Sequence, residues 1–212
     1  MKKLYLILFS LLSVNAFTKT SIGLKVGLSS SQFRDDYYKD FNKRLTGVDA
    51  GIVFEQSIYK EYLWFRPEVS FVQKGAKAVE DRTNYRVTEI FRINYVEFPL
   101  LLQGGYSKNK FSVYAQFGPY VSIGVSGKDE EIAQTKDKVK LTFGKTKNGA
   151  DIERLDAGLQ AGLGGSYKLG KGKLEANLRF GIGLNKIDRL KVIQNRTIQF
   201  TVGYLLPIGK NK

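Results

Sequence analysis

Six carboxylates, Asp49, Glu55, Glu68, Glu97, Asp156 and Glu175, share one parity of alternating segments with the cations Lys25, Arg66, Lys168 and Arg179. Paired glutamates such as Glu55 and Glu68 have the functional groups for general acid–base work. Interleaved with cations, the same set also has the composition of a self-neutralising ion-pair cluster. The rest of the chain narrows the choice, because its 212 residues contain no histidine and no cysteine. Serine–histidine and aspartate–histidine catalysis, histidine or thiolate zinc sites, disulfides and titration near neutrality all lose their central residue. Any catalysis would rest on glutamate alone, and no cofactor or metal is implied. With four cations beside the carboxylates, an ion-paired scaffold is the preferred expectation, and Tyr114, Gln116, Gln160 and Asn177 at the same parity can satisfy its remaining lone pairs.

What must hold such residues is a sheet. In FSVYAQFGPYVSIGVSG, residues 111–127, the odd positions through Val125 are apolar and the even ones small or polar. A period of two over that length is a strand with two unlike faces. Similar runs predict strands near 21–32, 46–58, 62–74, 91–106, 111–126, 153–169, 173–185 and 196–208. The connections between them alternate in length. Residues 33–45, 75–90, 127–152 and 186–195 are long and polar, while 59–61, 107–110 and 170–172 are tight turns. Long and short connections in strict alternation predict an all-β, eight-stranded antiparallel up-and-down barrel with loops at one end and turns at the other.

The faces decide what surrounds it. Forty-two residues fall on the apolar parity of the eight strands. A filled barrel of that strand number holds roughly a dozen side chains inside, so the apolar set must point outward. A soluble two-sheet sandwich would bury more of them. It would also leave the glycines of the opposite parity, among them Gly118, Gly158, Gly164 and Gly181, on a wet face where nothing offsets their cost. An outward apolar belt on an exported chain faces lipid, which makes the barrel transmembrane and the charged parity its lumen.

Export is read from the start of the chain. Lys2 and Lys3, an apolar run from Leu4 to Val14 and the small-residue pattern Val14-Asn-Ala16 form a secretory signal peptide over residues 1–16. The expected barrel domain is 17–212, in a bacterial outer membrane. Formal charge is +14, or +12 once Lys2 and Lys3 leave. No nucleic-acid motif accompanies it, and anionic headgroups are the preferred partners of the basic residues.

The segment Tyr95-Val-Glu-Phe-Pro-Leu-Leu-Leu102 resembles the Tyr-x-Glu-hydrophobic-Pro-Leu-Leu strand of PorT-like outer-membrane proteins, the group called outer membrane protein beta-barrel domain. Gly118-Pro-Tyr120 and Asp156-Ala-Gly158 are similar to that family too. The resemblance runs from about Ser21 to Ile208 and implies a small eight-stranded barrel. Thr201-x-Gly203-x-x-Leu206-x-Ile208 looks like the signal read by the outer-membrane assembly machinery, although the chain continues past it as Gly209-Lys-Asn-Lys212. Three functions stay open at this point. One is a non-enzymatic barrel whose long loops contact surface glycan, lipid or partner proteins. The second is a PorT-like accessory component of a secretion or gliding machine, and the third a narrow gated pore. Aromatic and arginine side chains suit contact surfaces, which singles out Phe33, Arg34, Tyr37, Tyr38 and Phe41, together with the loop after residue 127.

Overall fold

The alternating segments are rich in valine, isoleucine, phenylalanine and tyrosine, which favour a pleated, half-buried backbone. A computed structural model describes residues 19–34, 43–60, 62–82, 85–132, 136–141, 153–185 and 194–208. The expected signal peptide over residues 1–16, Tyr37, Tyr38 and Phe41 lie outside the described residues. The strands are β1 (Thr20–Arg34), β2 (Lys43–Tyr59), β3 (Leu63–Arg82), β4 (Tyr85–Lys108), β5 (Phe111–Ile132), β6 (Lys136–Lys140), β7 (Leu155–Leu169), β8 (Gly172–Gly183) and β9 (Gln194–Ile208).

Eight of them, all but β6, close into an antiparallel ring. Each pairs with its chain neighbour, β5 pairs with β7, and β9 returns to β1 over fifteen residues, from Thr20 opposite Ile208 to Arg34 opposite Gln194. The tight connections sit at one end. Lys108 opposes Phe111 and Leu169 opposes Gly172, leaving two-residue turns with Asn109 and Gly170 in the left-handed region at φ 57° and 59°, the geometry such hairpins require. Both ends of the ring's chain, Thr20 and Ile208, lie at this turn end.

β3, β4 and β5 overrun their predicted ends the furthest. Residues 75–82 and 85–90, expected in a long loop, are strand instead, with β3 and β4 paired from Gly75–Arg92 to Arg82–Tyr85. The hydrophobic alternation stops near Phe71 because polar and charged residues occupy both parities beyond it, so the signal fades while the backbone ladder continues. Phe33 and Arg34, expected in a loop, belong to β1. The anticipated strand within the 127–152 loop exists as β6, displaced toward the N-terminus from the expected 139–143 and paired with Lys128–Ile132 of β5. Above Gly124 the ladder slips: Tyr95 opposes Gly124 and Asn94 opposes Ser126, so Val125 is an extra residue. This bulge bends β5 where it leaves the ring.

The outer wall is apolar and the interior polar. Among the described residues 36 large hydrophobic side chains are exposed and ten hydrophobic residues are buried, against 24 buried polar or charged ones. That inversion of a soluble fold is the arrangement of a barrel dissolved in lipid.

Candidate functional site: the charged lumen

All nine residues of the principal expected network, Lys25, Asp49, Glu55, Arg66, Glu68, Glu97, Asp156, Glu175 and Arg179, are buried inside the ring. They come from β1, β2, β3, β4, β7 and β8, each at the inward parity of its strand. The structure divides them into two clusters.

The cluster nearer the turns is built around two arginines. Arg66 donates from Nη1 to Glu175 Oε2 at 2.9 Å and from Nη2 to Glu175 Oε1, a bidentate pair. Its Nε reaches Glu68 Oε1 at 2.7 Å and its Nη1 Glu55 Oε2 at 3.2 Å. Arg179 grips Glu68 with a second fork, at 2.6 and 2.7 Å. Lys25 closes the cluster, 2.8 Å from Glu68 and 3.3 Å from Asp49. Fork-on-carboxylate geometry is the strongest form of these pairs, while Asp49 is held by its Lys25 ion pair, with neither carboxylate oxygen hydrogen-bonded among the described residues.

The cluster nearer the loops was half missed. Glu97 and Asp156 were expected, but their cation is Lys74, at 2.6 and 3.4 Å. Lys74 shares even parity with Arg66 and Glu68. As the last residue of the strand expected over 62–74, it could have been disclosed by that parity. Its ammonium also lies 4.4 Å from the Tyr120 ring centroid and 5.3 Å from that of Tyr95, a cation–π setting. Lys173 is the other missed cation. It ion-pairs with Glu55 from the turn end, replacing Lys168, which was expected inside but is exposed beyond the last buried residue of β7, Ser166.

Amides join the clusters. Gln116 donates to Gln103 at 2.7 Å and accepts from Arg179 Nε at 2.7 Å. Gln160 donates to Glu97 at 2.6 Å, and Asn177 to Glu175 at 3.2 Å. Tyr114, expected in this network, turns its hydroxyl to the Gly165 carbonyl at 3.5 Å instead.

Glycine makes room for the large rings. Tyr120 opposes Gly158 and Tyr114 opposes Gly164 across the β5–β7 ladder. A Cβ at Gly158 would stand 2.7 Å from the Tyr120 ring, and one at Gly164 would overlap Tyr114. Each ring therefore occupies the space a side chain at the glycine would fill, which lets aromatic bulk enter so narrow a lumen.

Above Lys74 the polar filling ends in an apolar cap. Ile93 and Tyr95 are fully buried, with Phe33, Phe91 and Leu141 packed against them. Phe33 meets Phe91 edge-on at 5.5 Å, so the first of the expected loop-contact residues is partly committed to this cap. In β9, Thr201 and Gly203 face inward while Leu206 and Ile208 are exposed to the outside.

Chemically the lumen is a set of carboxylates already engaged by cations. Among the described residues no group of three or more acidic side chains is arranged to hold a metal ion.

Among solved structures, the chain is similar to Ail, the attachment invasion locus protein of Yersinia pestis, crystallised with the heparin analogue sucrose octasulfate. Identity is 14%, 89% of this chain and 99% of that one are covered, and the TM-score is 0.42. Neisserial surface protein A matches at 12% identity over 88% and 97% of the two chains, with a TM-score of 0.47. The outer membrane protease OmpT of Escherichia coli matches at 10% over 90% and 97%, with a TM-score of 0.45. No curated protein sequence matches. The family model described as outer membrane protein beta-barrel domain matches residues 15–189. Closed ring, lipid-facing wall and family match agree: the chain is a transmembrane barrel of the bacterial outer membrane and belongs to the outer membrane protein beta-barrel domain family.

Proposed function

We propose that the protein is a non-enzymatic barrel whose loop end carries its function, by contact with a surface glycan or a partner protein. The observation that carries this reading is the length of β3, β4 and β5, 20, 24 and 22 residues. About 9–11 residues cross a bilayer, so roughly half of each strand stands clear of the membrane. With β6 they extend the wall as a four-stranded sheet on one side of the mouth. Strand length beyond what the bilayer needs contributes little to the barrel beneath it, which favours a role in recognition.

The lumen supports the non-enzymatic part. Glu55, Glu68, Glu97 and Glu175 each hold at least one cation, so none is placed as a free general base. The stretch Tyr95–Leu102 that resembles PorT-like proteins puts Tyr95 and Glu97 around Lys74. We take it as a feature of lumen packing that carries no secretion role by itself.

Cross-linking in native membranes tests the proposal. Wild-type barrel and a variant lacking residues 129–150, its ends rejoined by a short turn, are compared for the species captured. A glycan or protein adduct present on the wild type and absent from the shortened chain is expected. Identical adducts on both would move the contact surface elsewhere.

A further inference from the structure

The turn end differs from the loop end in charge. Lys60, Lys108, Lys110, Lys168 and Lys171 are all exposed there. Because β5 lies beside β7, two of the turns are neighbours, and the Lys168 amide donates to the Lys110 carbonyl at 2.8 Å. Lys168 also stands directly opposite Lys173. Like charges in that relation repel, and among the described residues the carboxylate close by, Glu55, pairs with Lys173. Among the described residues the carboxylates that reach solvent, Glu89, Asp129, Glu130, Glu131 and Glu153, all lie at the loop end. The one acidic residue in the turn sequences, Glu61, lies outside the described residues.

A ring of aromatic side chains sits one or two residues inward of these lysines. Tyr59, Tyr62, Tyr106, Phe111 and Tyr204 are exposed. Tyr167 packs against Phe111 with the rings tilted at 52° and centroids 4.7 Å apart, and the Tyr204 hydroxyl donates to the Leu169 carbonyl at 2.9 Å. Lys60 lies 5.5 Å from the Tyr59 ring centroid. Aromatic girdles mark the boundary between acyl chains and headgroups. Lysines just beyond the girdle lay their stems along it and carry their ammonium groups to phosphate depth. Short turns face the periplasm in barrels of this kind, so the leaflet concerned is the inner one.

We propose that the turn-end lysines form a binding surface for the phosphates of anionic phospholipids in the periplasmic leaflet. The lysines follow the barrel rim and do not line a hollow, and the girdle continues into them without a gap. The anion they fit therefore lies in the plane of the membrane. A shared anionic surface also offsets the repulsion among Lys108, Lys110, Lys168 and Lys171. Binding of this kind is electrostatic and weakens as salt rises.

The full-length barrel, reconstituted in phosphatidylcholine bilayers, is examined by electron spin resonance with spin-labelled phosphatidylglycerol or phosphatidylcholine. The fraction of motionally restricted label gives the relative association constant of the two lipids. Several-fold selectivity for phosphatidylglycerol is expected at low salt, falling toward unity in molar salt and in the variant K108Q/K110Q/K168Q/K171Q. The pairs K108Q/K110Q and K168Q/K171Q should each lose part of it, which keeps the test available if the fourfold variant does not fold. Loop-end substitutions K43Q and K128Q should leave it unchanged. Equal association of both lipids with the wild type would overturn the proposal, as would selectivity that survives in the fourfold variant or vanishes in the loop-end one. Loss of selectivity to inorganic phosphate beyond that caused by chloride of equal ionic strength would identify a free-anion site and overturn it as well.

Discussion

Glu68 receives two cations at its carboxylate from neighbouring arginines and a third from Lys25, and that crowding sets what single substitutions do to the lumen. Replacing Arg66 with methionine leaves Glu55, Glu68 and Glu175 facing one another without their common partner. Removing one member of a buried pair costs about 3–5 kcal/mol, and unfolding of the refolded barrel in urea should register a loss of that size. Glu175→Met added to Arg66→Met removes one orphaned charge and should restore part of the stability. A double variant no better than the single would mean that Glu175 does not depend on Arg66. The opposite face obeys a different rule. Phe117 is 56% exposed and lies midway along the β5–β7 ladder, six residues from Phe111 and six from Ile123. Phe117→Arg places a charge near the bilayer midplane and should cost about 2–4 kcal/mol, read from refolding titrations into lipid vesicles. Tyr106→Arg, close to the turns, should cost much less, since the penalty falls toward the interface. Equal penalties at the two positions would contradict the depth assigned to them. Parity made most of these residues legible before any coordinates: in a strand walled by lipid on one side, an inward charge cannot be confused with an outward one. Lys74 escaped because the outer apolar belt, which carries the alternation, ends three residues before it. Lys173 escaped because it stands at the rim and reaches inward only by its long side chain.

Strand ends were readable only where the bilayer imposes them. At the turn end the ladder stops close to the expected positions, since each hairpin needs glycine, asparagine or lysine in a tight geometry that the sequence announces. At the loop end no such constraint exists, and β3, β4 and β5 run on as a sheet whose mixed charges resemble a loop's. Val125 is the plainest case, for its apolar side chain continues the alternation in sequence while the register slips beneath it. The β5–β7 ladder ends at Ile123 opposite Leu155, and β6 and Lys128–Ile132 of β5 lie beyond that end. Deleting residues 129–150 and joining the ends by a short turn should therefore preserve the barrel, with heat-modifiable migration on gels unchanged. Leu141 contributes to the apolar cap, and its loss should expose Ile93 and Phe91 without unfolding the ring beneath. Failure of the shortened chain to fold would make β6 a structural element of the barrel. The third strand, by contrast, cannot be trimmed to its expected end at residue 74 without loss. A Cβ at Gly75 would meet Leu45 at 2.9 Å, and the Gly75 amide donates to Ser31 Oγ at 2.7 Å.

For the whole molecule the question is whether ions pass. The exterior was settled by composition, because an exported chain with so many apolar residues on one parity has no other solvent to offer them. The interior was legible as polar but not as closed, since sequence gives the charges and not the distances between them. In the structure, Arg66 and Arg179 span the lumen from β3 and β8, and their carboxylates come from β2, β3 and β8. The Lys74 cluster forms a second barrier above, drawn from β3, β4 and β7, and the apolar cap a third. An ion crossing must break charge-assisted contacts in both clusters, in a tube whose strand number leaves just enough width for side chains. Purified protein in planar bilayers should accordingly show no steady open-channel current of porin size. Lys74→Ala alone should not change this, because the arginine cluster still bars the path, and Arg66→Ala/Arg179→Ala should likewise leave the upper barrier in place. The triple variant, if it folds, removes both arginines and Lys74, leaves only Lys25 and Lys173 to face Asp49, Glu55, Glu68, Glu97, Asp156 and Glu175 along the lumen, and should pass a small cation-selective current. A porin-sized conductance in the wild type would mean that the ion pairs do not hold the lumen shut.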